Sequence, residues 1–79
     1  MPKRVATATQ LMEFFKLTAA EARLVRALCR GEDVQTYAVD EGLKVTTVRS
    51  HLKAAMEKTG APTQRELVRM VMAIPAVRS

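Results

Sequence analysis

Three glycines punctuate this chain, and each falls where a helix would have to stop. Gly31, Gly42 and Gly60 each follow a stretch whose apolar residues recur every three or four positions. Glycine is the residue that most readily takes the left-handed conformation closing a helix. The starts are marked as clearly. Thr7 with Gln10, Thr18 with Glu21 and Thr63 with Glu66 have the capping-box spacing, in which the hydroxyl takes one free amide and the later side chain reaches back to another. Asp33 is placed to cap the stretch that ends at Gly42. These marks predict a short helix over 8–15 and four more over 19–30, 34–41, 45–59 and 64–74, with Pro75 just beyond the last. No segment alternates with the period of a strand. The connections at 31–33, 42–44 and 60–62 are so short that successive helices must pack as neighbours. The expected fold is all-α, with residues 1–16 an arm and short helix, 17–79 the main domain, and residues 1–6 and 76–79 frayed.

A chain of 79 residues holds a single domain. With no Trp, one Tyr and two Phe, its core must be aliphatic. The single cysteine, Cys29, excludes an internal disulfide and reads as a small core residue. One histidine, His51, leaves no ligand set for a metal and no catalytic dyad. Neither a phosphate loop nor a nucleophile–base pair is present, so no enzyme activity and no cofactor are expected. No apolar run reaches the length of a membrane span and no signal peptide is legible; a soluble, cytoplasmic protein is expected.

The formal net charge is +5, which suits an anionic partner. Its distribution is more informative. Residues 32–41 hold Glu32, Asp33, Asp40 and Glu41 and no base, whereas residues 42–58 hold Lys44, Arg49, Lys53 and Lys58 against Glu57 alone. On a helical wheel of 19–30, Ala20, Leu24, Val25 and Leu28 share one side, with Arg23, Arg26 and Arg30 on a solvated opposite side. Over 45–59, Val48, Leu52, Ala55 and Thr59 make an inward stripe, edged by Val45 and Met56. The opposite stripe is Thr46, Arg49, Ser50 and Lys53.

Two short helices joined by a tight glycine-containing turn, the second with a cationic outer face, fit the description of a helix-turn-helix. Arg and Lys can donate to guanine O6 and N7, Ser and Thr can meet base or phosphate, and the charge favours the phosphate backbone.

An ordered set of motifs sharpens this reading. Leu17-Thr18-Ala19-Ala20-Glu21, followed by an apolar helix, resembles the opening of the LuxR/GerE helix-turn-helix. Gly42 to Lys53, with Thr47-Val48-Arg49-Ser50-His51-Leu52 at its centre, resembles that family's turn and recognition helix. Lys58-Thr59-Gly60 and then Thr63-Gln64-Arg65-Glu66-Leu67-Val68 resemble its third-to-fourth helix junction. The likeness spans about residues 15–74. It implies a four-helix LuxR-type domain with a short extra N-terminal helix, acting as a bacterial, nucleoid-associated transcriptional regulator or the DNA-binding domain of one. It implies double-stranded DNA with an inverted-repeat site as the ligand, with RNA polymerase or another regulator as a further partner. Arg49, Ser50 and Lys53 would face bases; Lys44, Thr46, Thr47 and His51 would hold the backbone. A homodimer, weak off DNA, would form through the last helix, where Leu67, Met70, Val71 and Ile74 serve the core and Val68 and Met72 form an outer ridge. Three positions depart from the family pattern. Lys44 stands where a Ser or Thr cap is frequent, Tyr37 replaces a smaller aliphatic, and Glu32 and Asp33 put acid at the start of the second helix, where they suit its dipole. The alternatives are a sigma-factor region-four-like module, or a regulator that keeps the fold and docks a protein through the arginine stripe or the last helix.

Overall fold

A computed structural model describes residues 6–74 of the chain. It contains five helices and, among the described residues, no strand: α1 (Ala8–Phe15), α2 (Ala19–Cys29), α3 (Val34–Glu41), α4 (Val45–Thr59) and α5 (Gln64–Met72). The expectations for residues 1–5, for Pro75 and for 76–79 lie outside the described residues. Ala6 lies inside them and is buried in the core, not frayed.

The helix starts follow the predicted chemistry. Thr7 and Thr18 form complete capping boxes with Gln10 and Glu21. Thr63 accepts from the Glu66 amide, but the return bond of the expected box is not made and the Glu66 carboxylate faces Arg69 at 3.7 Å; Asp33 accepts from the Thr36 amide. Glu32 does not cap; its carboxylate pairs with Arg30 at 3.1 Å. The ends are less uniform. Gly42 closes α3 in the left-handed region at φ 68, and the amide of Leu43 turns back onto the Ala38 carbonyl at 2.8 Å. Helix α1, with no glycine at hand, closes on Lys16 at φ 62, ψ 35. A side chain there costs roughly 1–2 kcal/mol. Helices α2 and α5 stop one and two residues short of the predicted ends.

Two apolar clusters fill the interior. One gathers Leu11 of α1, Leu17, Ala22 and Val25 of α2, Ala55 of α4 and Leu67 and Val71 of α5. The other joins Leu24, Ala27 and Leu28 of α2 to Tyr37 and Ala38 of α3 and Val48 of α4. Leu52, half-buried, packs against both. Each fully buried aliphatic contributes about 1.5–3 kcal/mol, so α2 and α4, which feed both clusters, form the frame. Tyr37 is accommodated in the second cluster with 6% of its surface exposed.

Three faces differ from the wheel. Ala20 is exposed, and the inward side of α2 is Ala22, Leu24, Val25, Ala27 and Leu28. Arg26 is half-buried, with its Nε shielded and without a hydrogen-bond partner among the described residues, so the arginine stripe is not uniformly solvated. Val68 packs against the second cluster and does not stand on the solvent side. Helix α5 touches both α2 and α4, which widens its buried arc beyond one stripe.

Candidate nucleic-acid interface

Helix α4 is pinned from one side. Val48 and Ala55 are fully buried, and Leu52, between them on the wheel, packs into both clusters. A helix held by positions 48, 52 and 55 turns positions 46, 49, 50 and 53 outward, because each residue advances about 100°. Thr46, Arg49, Ser50 and Lys53 are all exposed. Arg49 and Lys53 stand one turn apart, about 6 Å along the axis. Lys44, also exposed, occupies the cap position of α4, and its side chain makes no capping bond. Thr47 and His51 are half-buried at the flank of the outward face. The stripe thus brings the three expected base-facing residues together with Lys44 and Thr46, and leaves Thr47 and His51 at its edge. Both ridge residues on α5 are half-buried: Val68 packs against the second cluster, and Met72 lies at the end of the helix.

The charges explain why this face is electropositive. Among the described residues, Lys44, Arg49 and Lys53 take part in no ion pair, whereas the acids of the α3 segment are largely engaged. Glu41 pairs with Arg23 and Glu32 with Arg30. Asp33 is held below the usual carboxylate range by the Thr36 amide it accepts from. These two pairs, one between α2 and α3 and one within the turn that joins them, neutralise at close range half of what the sequence shows as an acidic block. Among the described residues Arg49 and Lys53, and Lys44 at the cap of α4, have no such counter-charge, save exposed Glu57 one turn beyond Lys53.

The contact that sequence reasoning missed lies at the other end of α4. Lys58 Nζ donates to Glu21 Oε1 at 2.7 Å, and the same carboxylate oxygen accepts the Thr18 amide at 3.0 Å. Glu21 is 5% exposed. Burial pushes its carboxyl up, but the bonds from Lys58 and Thr18 and the lysine charge outweigh this and hold it below the ordinary value. The capping-box spacing flagged Glu21 for its local bond only. Nothing in a separation of 37 residues signals the partner.

Among the described residues no helix is long and apolar enough to cross a membrane. No protein-family model, no curated protein and no solved structure matches the chain.

Proposed function

We propose that the chain binds double-stranded DNA sequence-specifically, as a LuxR-type helix-turn-helix transcriptional regulator or the DNA-binding domain of one. In this reading α3 and the turn at 42–44 brace α4, whose outward face enters the major groove. Arg49, Lys53 and Ser50 read base edges, and Lys44, Thr46, Thr47 and His51 meet the backbone. The observation that carries it is the outward stripe of α4. Its cations are exposed and, among the described residues, unpaired, while neighbouring arginines are bound to acids of the same chain. A stripe kept free of counter-charge on a helix anchored by its other side suits a polyanion entered by a rigid rod. The rival in which the α2 arginines dock a protein loses support, because Arg23 and Arg30 already have partners. Pairing of two copies on an inverted repeat through α5 would rest on Met72, with Val68 contributing from below.

The test is selection from random duplex DNA, followed by affinities for the selected site and for random duplex. Arg49→Ala and Lys53→Ala should each lower the ratio of the two, since a base contact is worth about 1–3 kcal/mol of discrimination. Selection that enriches no sequence, or Arg49→Ala with the ratio intact, would overturn the assignment.

A further inference from the structure

The apolar residues that hold α4 in place are small or flexible and their attraction has no direction. Val48, Leu52 and Ala55 resist separation of α4 from the core, but a helix resting on such a stripe can still roll or slide by a small amount. The hydrogen bond from Lys58 to Glu21 is directional, and its acceptor is held in place. Glu21 is buried and fixed a second time by the Thr18 amide, and Lys58 is the last residue but one of α4. Among the described residues no other side-chain hydrogen bond or ion pair joins α4 to another helix. On the reading that α4 enters the major groove, we propose that Glu21 and Lys58 are positioning residues that set the roll and axial placement of α4. They would thereby tune DNA specificity without touching DNA through Glu21.

The lever arm makes this consequential. Arg49 lies nine residues from Lys58, about 13 Å along the axis, on a helix rigid enough to transmit rotation over that span. An arginine head is carried roughly 8 Å from the axis, outside the radius of the helix with its side chains. A roll of about 10° then moves it by about 1.4 Å, more than the half-ångström window of a good hydrogen bond. Phosphate contacts, which depend mainly on charge, tolerate such a shift far better than a bidentate bond to a base.

Glu21→Gln is the informative variant. It keeps every cation, keeps an acceptor for the Thr18 amide, and weakens only the tie to Lys58. At a temperature where wild type and variant are both fully folded by circular dichroism, the ratio of affinity for the selected site to that for random duplex should fall by about fivefold or more. That is the lower end of one base contact. Affinity for random duplex should hold. Lys58→Met should lower the ratio likewise, and Lys58→Arg should restore it, because a cation of similar reach can meet the same carboxylate. A second readout needs no DNA: amide shifts in Glu21→Gln should move along α4 as far as Arg49. An unchanged ratio in folded Glu21→Gln, or amide shifts confined to the turn around Lys58, would overturn the positioning role. Failure of the wild-type selection while the amide shifts spread along α4 would instead sink the DNA reading and leave the mechanical tie standing as its own result.

Discussion

Lys44→Ser should make the domain more stable and a weaker binder of DNA. Four of the five helices begin on a residue whose side chain accepts from the first-turn amides: Thr7, Thr18, Asp33 and Thr63. Helix α4 begins on Lys44, with an extended backbone at φ −74, ψ 144 and no side-chain cap. Serine adopts that backbone freely and its hydroxyl reaches the third-residue amide, a gain of about 1 kcal/mol over a non-capping residue. Removing a cation from the positive end of a helix adds a few tenths more. For a domain of this size about 1 kcal/mol raises the melting temperature by roughly 4–8 °C. Binding should move the other way. If Lys44 meets one phosphate, its loss flattens the plot of log affinity against log salt by about 0.9. Thermal melts by circular dichroism and fluorescence anisotropy across a potassium chloride series measure the two effects separately. An unchanged salt slope would remove Lys44 from the interface. A melting temperature equal to or below wild type would mean that the first turn of α4 has no vacancy for a cap.

Three further outcomes are expected. Glu21 has a lowered pKa, so its contribution is fully present above the unfolded-state value near 4.5 and is lost as pH falls through the folded value. With Lys58 partly exposed to solvent, Glu21→Gln should cost only about 1 kcal/mol at pH 7. That difference should shrink as pH falls from 4.5 through the lower folded value, and a difference independent of pH would contradict the depressed carboxyl. Lys16→Gly should stabilise by about 1 kcal/mol in chemical denaturation, because it relieves a left-handed side-chain conformation; a loss would show that Lys16 contributes packing that outweighs the strain. Val48→Asp should abolish the cooperative melt, since a fully buried, unpaired carboxylate costs several kcal/mol, whereas Ser50→Ala on the exposed face should leave it in place.

The parts of this fold that were legible in the sequence are those fixed by local chemistry. The start of α2 depends on Thr18 and Glu21, three residues apart, and the end of α3 on one glycine. Both act through backbone groups within a turn, so spacing alone locates them. The outward stripe of α4 was legible for a similar reason: a helix with Val48, Leu52 and Ala55 inside has little choice of what it shows outside. The end of α1 after Phe15 was legible, but the left-handed backbone of Lys16 that closes it was not, because a lysine has no preference of its own for that conformation. Ala20 and Val68 were misplaced because a wheel fixes the angle between residues but not the width of the arc a neighbour covers. Residues 32–41 read as a block of acid without a base because charge was counted along the chain. Arg30 answers Glu32 from two residues away, but Arg23, which answers Glu41, comes from the preceding helix and meets it only after folding.

Leu52 decides how the molecule comes apart. Because it packs against both apolar clusters, neither can open while the other stays closed without stripping contacts from the same side chain. Helices α1 and α3 each reach a single cluster, α1 through Leu11 and α3 through Tyr37, Ala38 and the half-buried Val34, so either can loosen without disturbing the other cluster. The amides around Leu52 have no such partial route. Their hydrogen exchange must wait for global unfolding, while those of α3 exchange through smaller openings. The segment that presents Arg49 and Lys53 is therefore the last to soften under heat or denaturant, and the brace beside it is the first.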